Sequence, residues 1–297
     1  MNVRPITVDD APAVAAIARA DEEALRGRPS HLEAAEVAAW WERSDLANES
    51  WLYEEDGAVV AAGWFAVWGD IGSHDGLVAQ GAKGRGIGAT LVDRGEAVAA
   101  RRGLTRIHTF APAEDTAAAE LFRSRGYLEV RRFYDMAVDL DAEPVEPELP
   151  APFVLEAFRE EDAHAFHAAM YESFQDHWEW HGVPFDEWWE LRRGQDRDAH
   201  GPLWFVVRDG GELAAVVRNE ARPKSGYVGL LGVRRPWRGR GLAKALLYRT
   251  FAEFWRRGTP RVTLGVDADS PTGATKLYEG VGMTVELTNV VFEKVTS

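Results

Sequence analysis

The chain is written twice. Trp40-Trp41-Glu42 returns as Trp188-Trp189-Glu190 at an offset of 148 residues. Trp51 and Asp56-Gly57 return as Trp204 and Asp209-Gly210 at 153, and Gly84-Arg85-Gly86 returns as Gly239-Arg240-Gly241 at 155. Leu121-Phe122 and Gly126 return as Leu277-Tyr278 and Gly282 at 156. An offset that grows slowly over nearly the whole of 297 residues is what a duplicated domain leaves behind, and its period is too long for a solenoid. Between the copies lies Asp141 to Pro152, with four prolines and four acids in twelve residues, a composition that suits a linker. The expected division is therefore an N-terminal domain over 1–145, a linker over 146–152 and a C-terminal domain over 153–297, with the boundary near residue 147.

Each copy predicts the same order of elements. In the first, a strand around Val3 to Ile6 precedes a helix capped by Asp9 or Asp10, and a second helix runs over about Leu32 to Arg43. Strands Ser50 to Glu54 and Ala58 to Trp68 meet at Asp56-Gly57, a hairpin signal. A helix to about Arg102, a strand over Arg106 to Phe110, a helix over Thr116 to Arg125 and a strand over Glu129 to Leu140 follow. The second copy repeats this from the strand Phe153 to Phe158 onward.

The chemistry concentrates in Val233 to Tyr248. An apolar run, Tyr227 to Val233, reads as a buried strand that Pro236 stops, since proline cannot donate to a sheet ladder. Arg238, Gly239, Arg240 and Gly241 lead into helical spacing that begins at Leu242 and Ala243. The first N–H groups of a helix have no internal partner and sit at the positive end of its dipole, while glycines let the backbone approach a ligand closely. Strand, glycine turn and helix together make a seat for an anion, most often a pyrophosphate. Neither the P-loop spacing nor G-x-G-x-x-G is present, because Lys244 stands where a third glycine would be needed.

What the stretch does match is Arg238-Gly239-Arg240-Gly241-Leu242-Ala243 against [QR]-x-x-G-x-[GA], the acetyl-CoA signature of the GNAT (general N-acetyltransferase) superfamily. Downstream, Leu264 to Met283 resembles that superfamily's second motif, with Ser270 as N-cap, Pro271 opening a helix, and Leu277-Tyr278 before Gly282. The resemblance implies an α/β (α+β) fold of two tandem GNAT domains, each a central mixed, largely antiparallel sheet flanked by helices. It implies acetyl-CoA as cosubstrate, held by Leu231, Gly232, Val233, Arg238, Gly239, Arg240, Gly241, Leu242, Ala243 and Ser270. Tyr278 would then face the thiol end as general acid. The first copy keeps Val78, Lys83, Gly84, Arg85, Gly86, Ile87 and Gly88 as a possible CoA seat but has Phe122 where the tyrosine should be. Phenylalanine donates no proton, so catalysis is expected in the second copy alone. The layout resembles the mycothiol synthases, tandem members that acetylate a cysteinyl amine on a sugar-inositol, although the strand before the seat offers Tyr227 and Gly229 rather than a carboxylate.

The expected reaction is direct attack of a small-molecule primary amine on the acetyl thioester. A CoA-binding module without turnover is the other reading. Glu220, at the end of the strand Glu212 to Asn219, is the candidate base, with Asp267, Asp269 or a water chain as alternatives. Asp176, His177, Trp178, Glu179 and Trp180 form a dense acidic and aromatic group suited to clasping a cationic acceptor, or to packing.

Composition narrows the rest. Zero cysteines exclude disulfides, thiolate metal sites and a cysteine nucleophile, and no metal is expected. Net charge is −14, with 15 Lys and Arg against 27 Asp and Glu in residues 1–150 and 19 against 21 in the remainder. No basic face points to nucleic acid. No apolar run of transmembrane length and no signal-peptide pattern point to a membrane. A cytoplasmic monomer or homodimer is the expectation.

Overall fold

The computed structural model describes residues 1–27, 29–192, 197–198 and 201–296. The first half runs β1 (Asn2–Arg4), α1 (Ala11–Arg26), α2 (Ala34–Trp40), α3 (Leu46–Glu49), β2 (Ser50–Glu55), β3 (Ala58–Trp68), β4 (Ile71–Val78), α4 (Ile87–Arg102), β5 (Arg106–Pro112), α5 (Thr116–Ser124) and β6 (Leu128–Asp139). The second runs β7 (Phe153–Ala157), α6 (Ala163–Phe174), α7 (Phe185–Arg192), the two-residue strands β8 (Arg197–Asp198) and β9 (Gly201–Pro202), β10 (Trp204–Asp209), β11 (Glu212–Ala221), β12 (Gly226–Val233), α8 (Leu242–Arg256), β13 (Arg261–Asp267), α9 (Ala274–Glu279) and β14 (Thr284–Val295). No helix among the described residues is long and apolar enough to cross a membrane.

The two copies fold as two compact units, each a mixed, largely antiparallel sheet flanked by helices. Their boundaries differ from the expected ones. Unit 1 holds Met1–Arg132 together with Thr288–Ser297, and unit 2 holds Phe133–Leu287. In unit 1 the strands follow the order β1, β2, β3, β4, β5, and then the end of β14, whose Asn289–Val295 pairs antiparallel with Pro112–Arg106 of β5. In unit 2 the order is β7, β10, β11, β12, β13, and then the end of β6, whose Phe133–Asp139 pairs antiparallel with Asp267–Arg261 of β13. Each half of the sequence thus lends its last strand to the other half's sheet. The alternation of apolar residues marks β6 and β14 as strands, but it does not say which edge each will cover. The acidic, proline-rich stretch near residue 147 is only the connection that leaves β6.

The exchanged strands carry core side chains with them. Met136 lies in the unit 2 core among Leu264, Val266 and Trp204. Val290 and Phe292 lie in the unit 1 core, where Phe292 packs on Phe122 with ring centroids 5.3 Å apart. Within each unit one neighbouring pair of strands is parallel, β4 with β5 and β12 with β13, and that pairing is brief. The hairpin signals are met: Asp56 and Gly57 adopt φ of 52° and 79°, the left-handed conformation that joins β2 to β3. The helix expected over Leu32 to Arg43 is the shorter α2, which starts after a reciprocal capping arrangement between Glu33 and Glu36.

Candidate active site

Strand β12 organises unit 2. Opposite it, Arg218 pairs with Leu230 and the next residue, Asn219, with Val228, so Gly229 is an extra residue, a β-bulge. The bulge changes which side later residues face. A Cβ at Gly226 would collide with Phe254 of α8, whereas a Cβ at Gly232 would collide with Ser173 of α6. The sheet therefore has α8 on one side and α6 on the other.

Parallel pairing between β12 and β13 covers only Gly226 with Val262 and Tyr227 with Thr263. Beyond it the strands part, and backbone groups of Leu231 to Val233 are left without a strand on that side. A cavity of about 270 Å³ occupies the opening. It is lined by Leu231, Gly232 and Val233 of β12, by Trp237, Arg238, Gly239, Gly241, Leu242, Ala243 and Lys244 of the turn and first turn of α8, by Thr272, Ala274, Leu277 and Tyr278 around α9, and by Ser173 and His177 at the end of α6.

The turn is open. Gly239 and Gly241 have φ of 76° and 80°, and a Cβ on either would meet nothing within 4 Å. No side chain caps α8, whose N-cap is Gly241. Its first N–H groups are thus available to an anion, and Lys244 adds a positive charge in the same turn. Arg238, expected among the residues that hold acetyl-CoA, lines the cavity and also makes structural bonds. Its Nε donates to the Val233 carbonyl at 3.1 Å and its Nη2 to the Ser173 carbonyl at 3.3 Å, so it braces the end of β12 against α6.

Tyr278 lines the same cavity and is buried. Burial, reinforced by neighbouring Tyr227, pushes its phenol well above the usual range, so it stays protonated and able to donate.

A model of the acetyltransferase (GNAT) family matches residues 13–127 and again residues 155–283. The chain belongs to the GNAT family. It is a tandem GNAT protein and an N-acetyltransferase. It is 29% identical to a mycothiol acetyltransferase of Thermobispora bispora over 97% of both chains, and 30% identical to one of Streptomyces scabiei over 72% of this chain and 68% of that one. A GCN5-related N-acetyltransferase from Sphaerobacter thermophilus has a closely similar structure, with a TM-score of 0.87 and 32% identity over 99% of this chain and 95% of that one. A tandem GNAT protein from the clavulanic acid biosynthesis pathway shares the fold at a TM-score of 0.75 and 17% identity, covering 100% and 98% of the two chains.

Several residues expected at the GNAT site of unit 2 stand elsewhere. Ser270 does not cap α9. Ser270 to Gly273 form a turn, with the Ser270 and Thr272 hydroxyls 3.0 Å apart, and the helix starts at Ala274 after Gly273 adopts φ 70°. Thr272, not Ser270, reaches the cavity. Arg240 lies outside the lining, its guanidinium 5.8 Å from the Phe153 ring. Glu220 is also outside the lining and forms an ion pair with Arg218. Of the acidic and aromatic group, only His177 lines the cavity. Asp176 bonds Arg235 at 2.6 Å, which holds its carboxyl below the usual range. Trp178 packs on Phe133, and Trp180 on Phe174 and Tyr171. Glu179 turns the chain with φ 50°. Ser173, Trp237, Lys244 and Thr272 were not anticipated. Lys244 carried a legible signal, a cation in the first turn of a helix after a glycine pair, where the dipole alone would disfavour it.

The GNAT copy in unit 1 keeps the geometry and changes the charge. Strands β4 and β5 pair in parallel over three positions and then part around a cavity of about 360 Å³. Val78, Lys83, Gly84, Gly86, Ile87 and Gly88 line it, while Arg85 turns away to Glu55 at 2.7 Å. The lining also contains two carboxylates, Asp21 and Asp115. Lys83 pairs with Asp21 and stands 3.8 Å from Asp115, so its charge is already neutralised. Phe122 faces His74, whose Nε2 lies 3.1 Å from the Tyr127 hydroxyl. Burial pushes His74 down to about 4 and pushes the adjacent Asp75 up to about 7. The lining of the unit 1 cavity thus carries two carboxylates against the single lysine they pair with, whereas that of unit 2 carries Arg238 and Lys244 and no carboxylate, the nearest, Asp176, standing outside the lining 3.9 Å from Arg238.

Proposed function

We propose that unit 2 transfers the acetyl group of acetyl-CoA to a primary amine of a small molecule by direct attack, with Tyr278 as general acid and unit 1 taking no part in turnover. The observation that carries this reading is that an uncapped glycine turn at the start of α8, the buried phenol of Tyr278 and the end of β12 that β13 leaves uncovered line one cavity. The fit to the cosubstrate is chemical. A diphosphate matches bare N–H groups beside Arg238 and Lys244. The pantetheine arm, a chain of amides, matches the edge of β12 around Leu231 that no strand covers, next to the Val233 carbonyl that Arg238 holds, and can lie there as an added strand.

The steps follow from the groups present. The amine attacks the thioester carbonyl carbon, forming a C–N bond. Negative charge develops on the carbonyl oxygen, where a backbone N–H of the splayed β12 can meet it. The C–S bond then breaks and the Tyr278 hydroxyl gives its proton to the departing sulfur. In unit 1 Phe122 offers no such proton, and Asp21 and Asp115 oppose a diphosphate, which supports assigning the reaction to unit 2.

The mycothiol acetyltransferase relatives favour a cysteinyl amine on a sugar-inositol as the acceptor. The full chain incubated with acetyl-CoA and the desacetyl precursor of mycothiol should release CoA and form the acetamide in equal amounts, read by chromatography. CoA release no faster with the amine than without it would contradict the assignment of that acceptor.

A further inference from the structure

The acetyl-transfer reading above leaves one role unfilled. An amine acceptor reaches the enzyme mostly as an ammonium ion, and something must take its proton. Among the described residues lining the unit 2 cavity none carries a carboxyl group. Arg238 and Lys244 are cations. The Ser173 hydroxyl is committed to the Ala169 carbonyl at 2.7 Å, and Tyr278 is a donor. Glu220, the acid expected for the task, stands outside the lining in its ion pair with Arg218. The one side chain in the lining that accepts a proton at neutral pH is His177.

We propose that His177 is the general base of unit 2, its imidazole taking the proton from the acceptor's ammonium group inside the cavity that Tyr278 closes from the side of α9.

The imidazole is placed for this. His177 follows α6 by one turn, its N–H bonded to the Phe174 carbonyl at 2.9 Å, and its ring lies on that of Phe174 with centroids 4.3 Å apart. The Arg238 bond to the Ser173 carbonyl braces the end of α6, and with it the following turn that carries His177 into the cavity shared with Tyr278. Its electrostatic surroundings are mixed. Burial lowers its basicity most, Arg238 lowers it further, and Asp267 at the end of β13 and Asp176 on its own loop raise it. The balance lies below the ordinary histidine value, so at pH 7 the ring is neutral and able to accept.

The proton balance closes. The ammonium gives up two protons overall. His177 takes the first and passes it to water, which frees the nitrogen lone pair for attack. The second leaves the nitrogen as the amide forms and replaces the one that Tyr278 has given to sulfur. No oxidant or further reactant is needed.

The test is the pH dependence of kcat/KM for the full chain, with acetyl-CoA and the desacetyl precursor of mycothiol. A base must be neutral to act, so kcat/KM should rise with pH through an ionisation below about 6.5 and level off above it, apart from any later step of the amine itself. In H177Q that ionisation should vanish and kcat/KM at pH 7 should fall by about 10²- to 10³-fold, with acetyl-CoA affinity by calorimetry within about twofold of wild type. Imidazole in solution should restore part of the rate to H177A. An H177Q variant within twofold of wild type at pH 7 would overturn the proposal. So would a wild-type profile without the acidic ionisation, a result that needs no variant to fold. A wild-type chain that binds acetyl-CoA and acetylates no amine would instead refute the transfer reading on which this base rests.

Discussion

Replacing Tyr278 by phenylalanine is expected to lower kcat for acetyl transfer by about 10²- to 10³-fold while leaving acetyl-CoA affinity within about twofold. The side chain is buried at 8% exposure, so the isosteric ring preserves packing on α9 and only the hydroxyl is lost. That hydroxyl matters because the leaving thiolate is a poor leaving group without a proton, its thiol having a pKa of about 8.5. Burial keeps the phenol protonated over the working range, so its contribution should not titrate between pH 6 and 9. The variant therefore separates the two proton carriers. Loss of Tyr278 lowers the rate at every pH, whereas loss of His177 removes the acidic ionisation. Steady-state kinetics beside calorimetry measure both quantities. Unchanged kcat in Tyr278→Phe would take the tyrosine out of the mechanism.

The second large effect concerns folding. Chains cut within the linker, 1–145 and 146–297, should each fail to fold alone, although the sequence repeat suggests two self-sufficient domains. Fragment 1–145 lacks Asn289–Val295, the antiparallel partner of β5, and with it Val290 and Phe292 of the unit 1 core. Fragment 146–297 lacks Phe133–Asp139, the partner of β13, and with it Met136 and the Asp139 carboxylate that Arg261 bonds at 2.9 Å. Removing one buried Phe or Met side chain costs about 2 to 5 kcal/mol, and here a whole strand goes with it, against a total stability of about 5–15 kcal/mol. Circular dichroism and gel filtration should show each fragment unfolded or aggregated, and co-refolding should recover a soluble pair. Two cooperatively folded monomeric fragments would contradict the exchange of strands.

Much of this was legible in the residues. Asp56-Gly57 and Asp209-Gly210 announced hairpins. The glycine pair before Leu242 announced an open helix start, and the substitution of Phe122 for tyrosine announced two chemically unequal copies. What stayed hidden depends on distant partners. Local pattern specifies that β6 and β14 are strands, but their neighbours are chosen by whole-sheet packing. Ser270-Pro271 carries every mark of a helix start, yet Gly273 in a left-handed conformation delays the helix to Ala274. The group from Asp176 to Trp180 suited either an acceptor clasp or packing, and its tryptophans pack. Its members scatter because Arg235 draws off Asp176, Phe133 takes Trp178 and Phe174 takes Trp180, which leaves His177 alone in the cavity. Glu220 was the natural base from its strand position, and the nearness of Arg218 on the same strand gave the only warning that it was spoken for.

Calorimetric titration of acetyl-CoA into the full chain, beside the Gly241→Val variant, tests most directly the docking of a diphosphate on the bare amides that open α8. Wild type should bind, and the variant, with a β-branched side chain placed where φ is 80°, should lose at least tenfold in affinity. No heat from the wild-type chain, or equal affinity in the two, would contradict it.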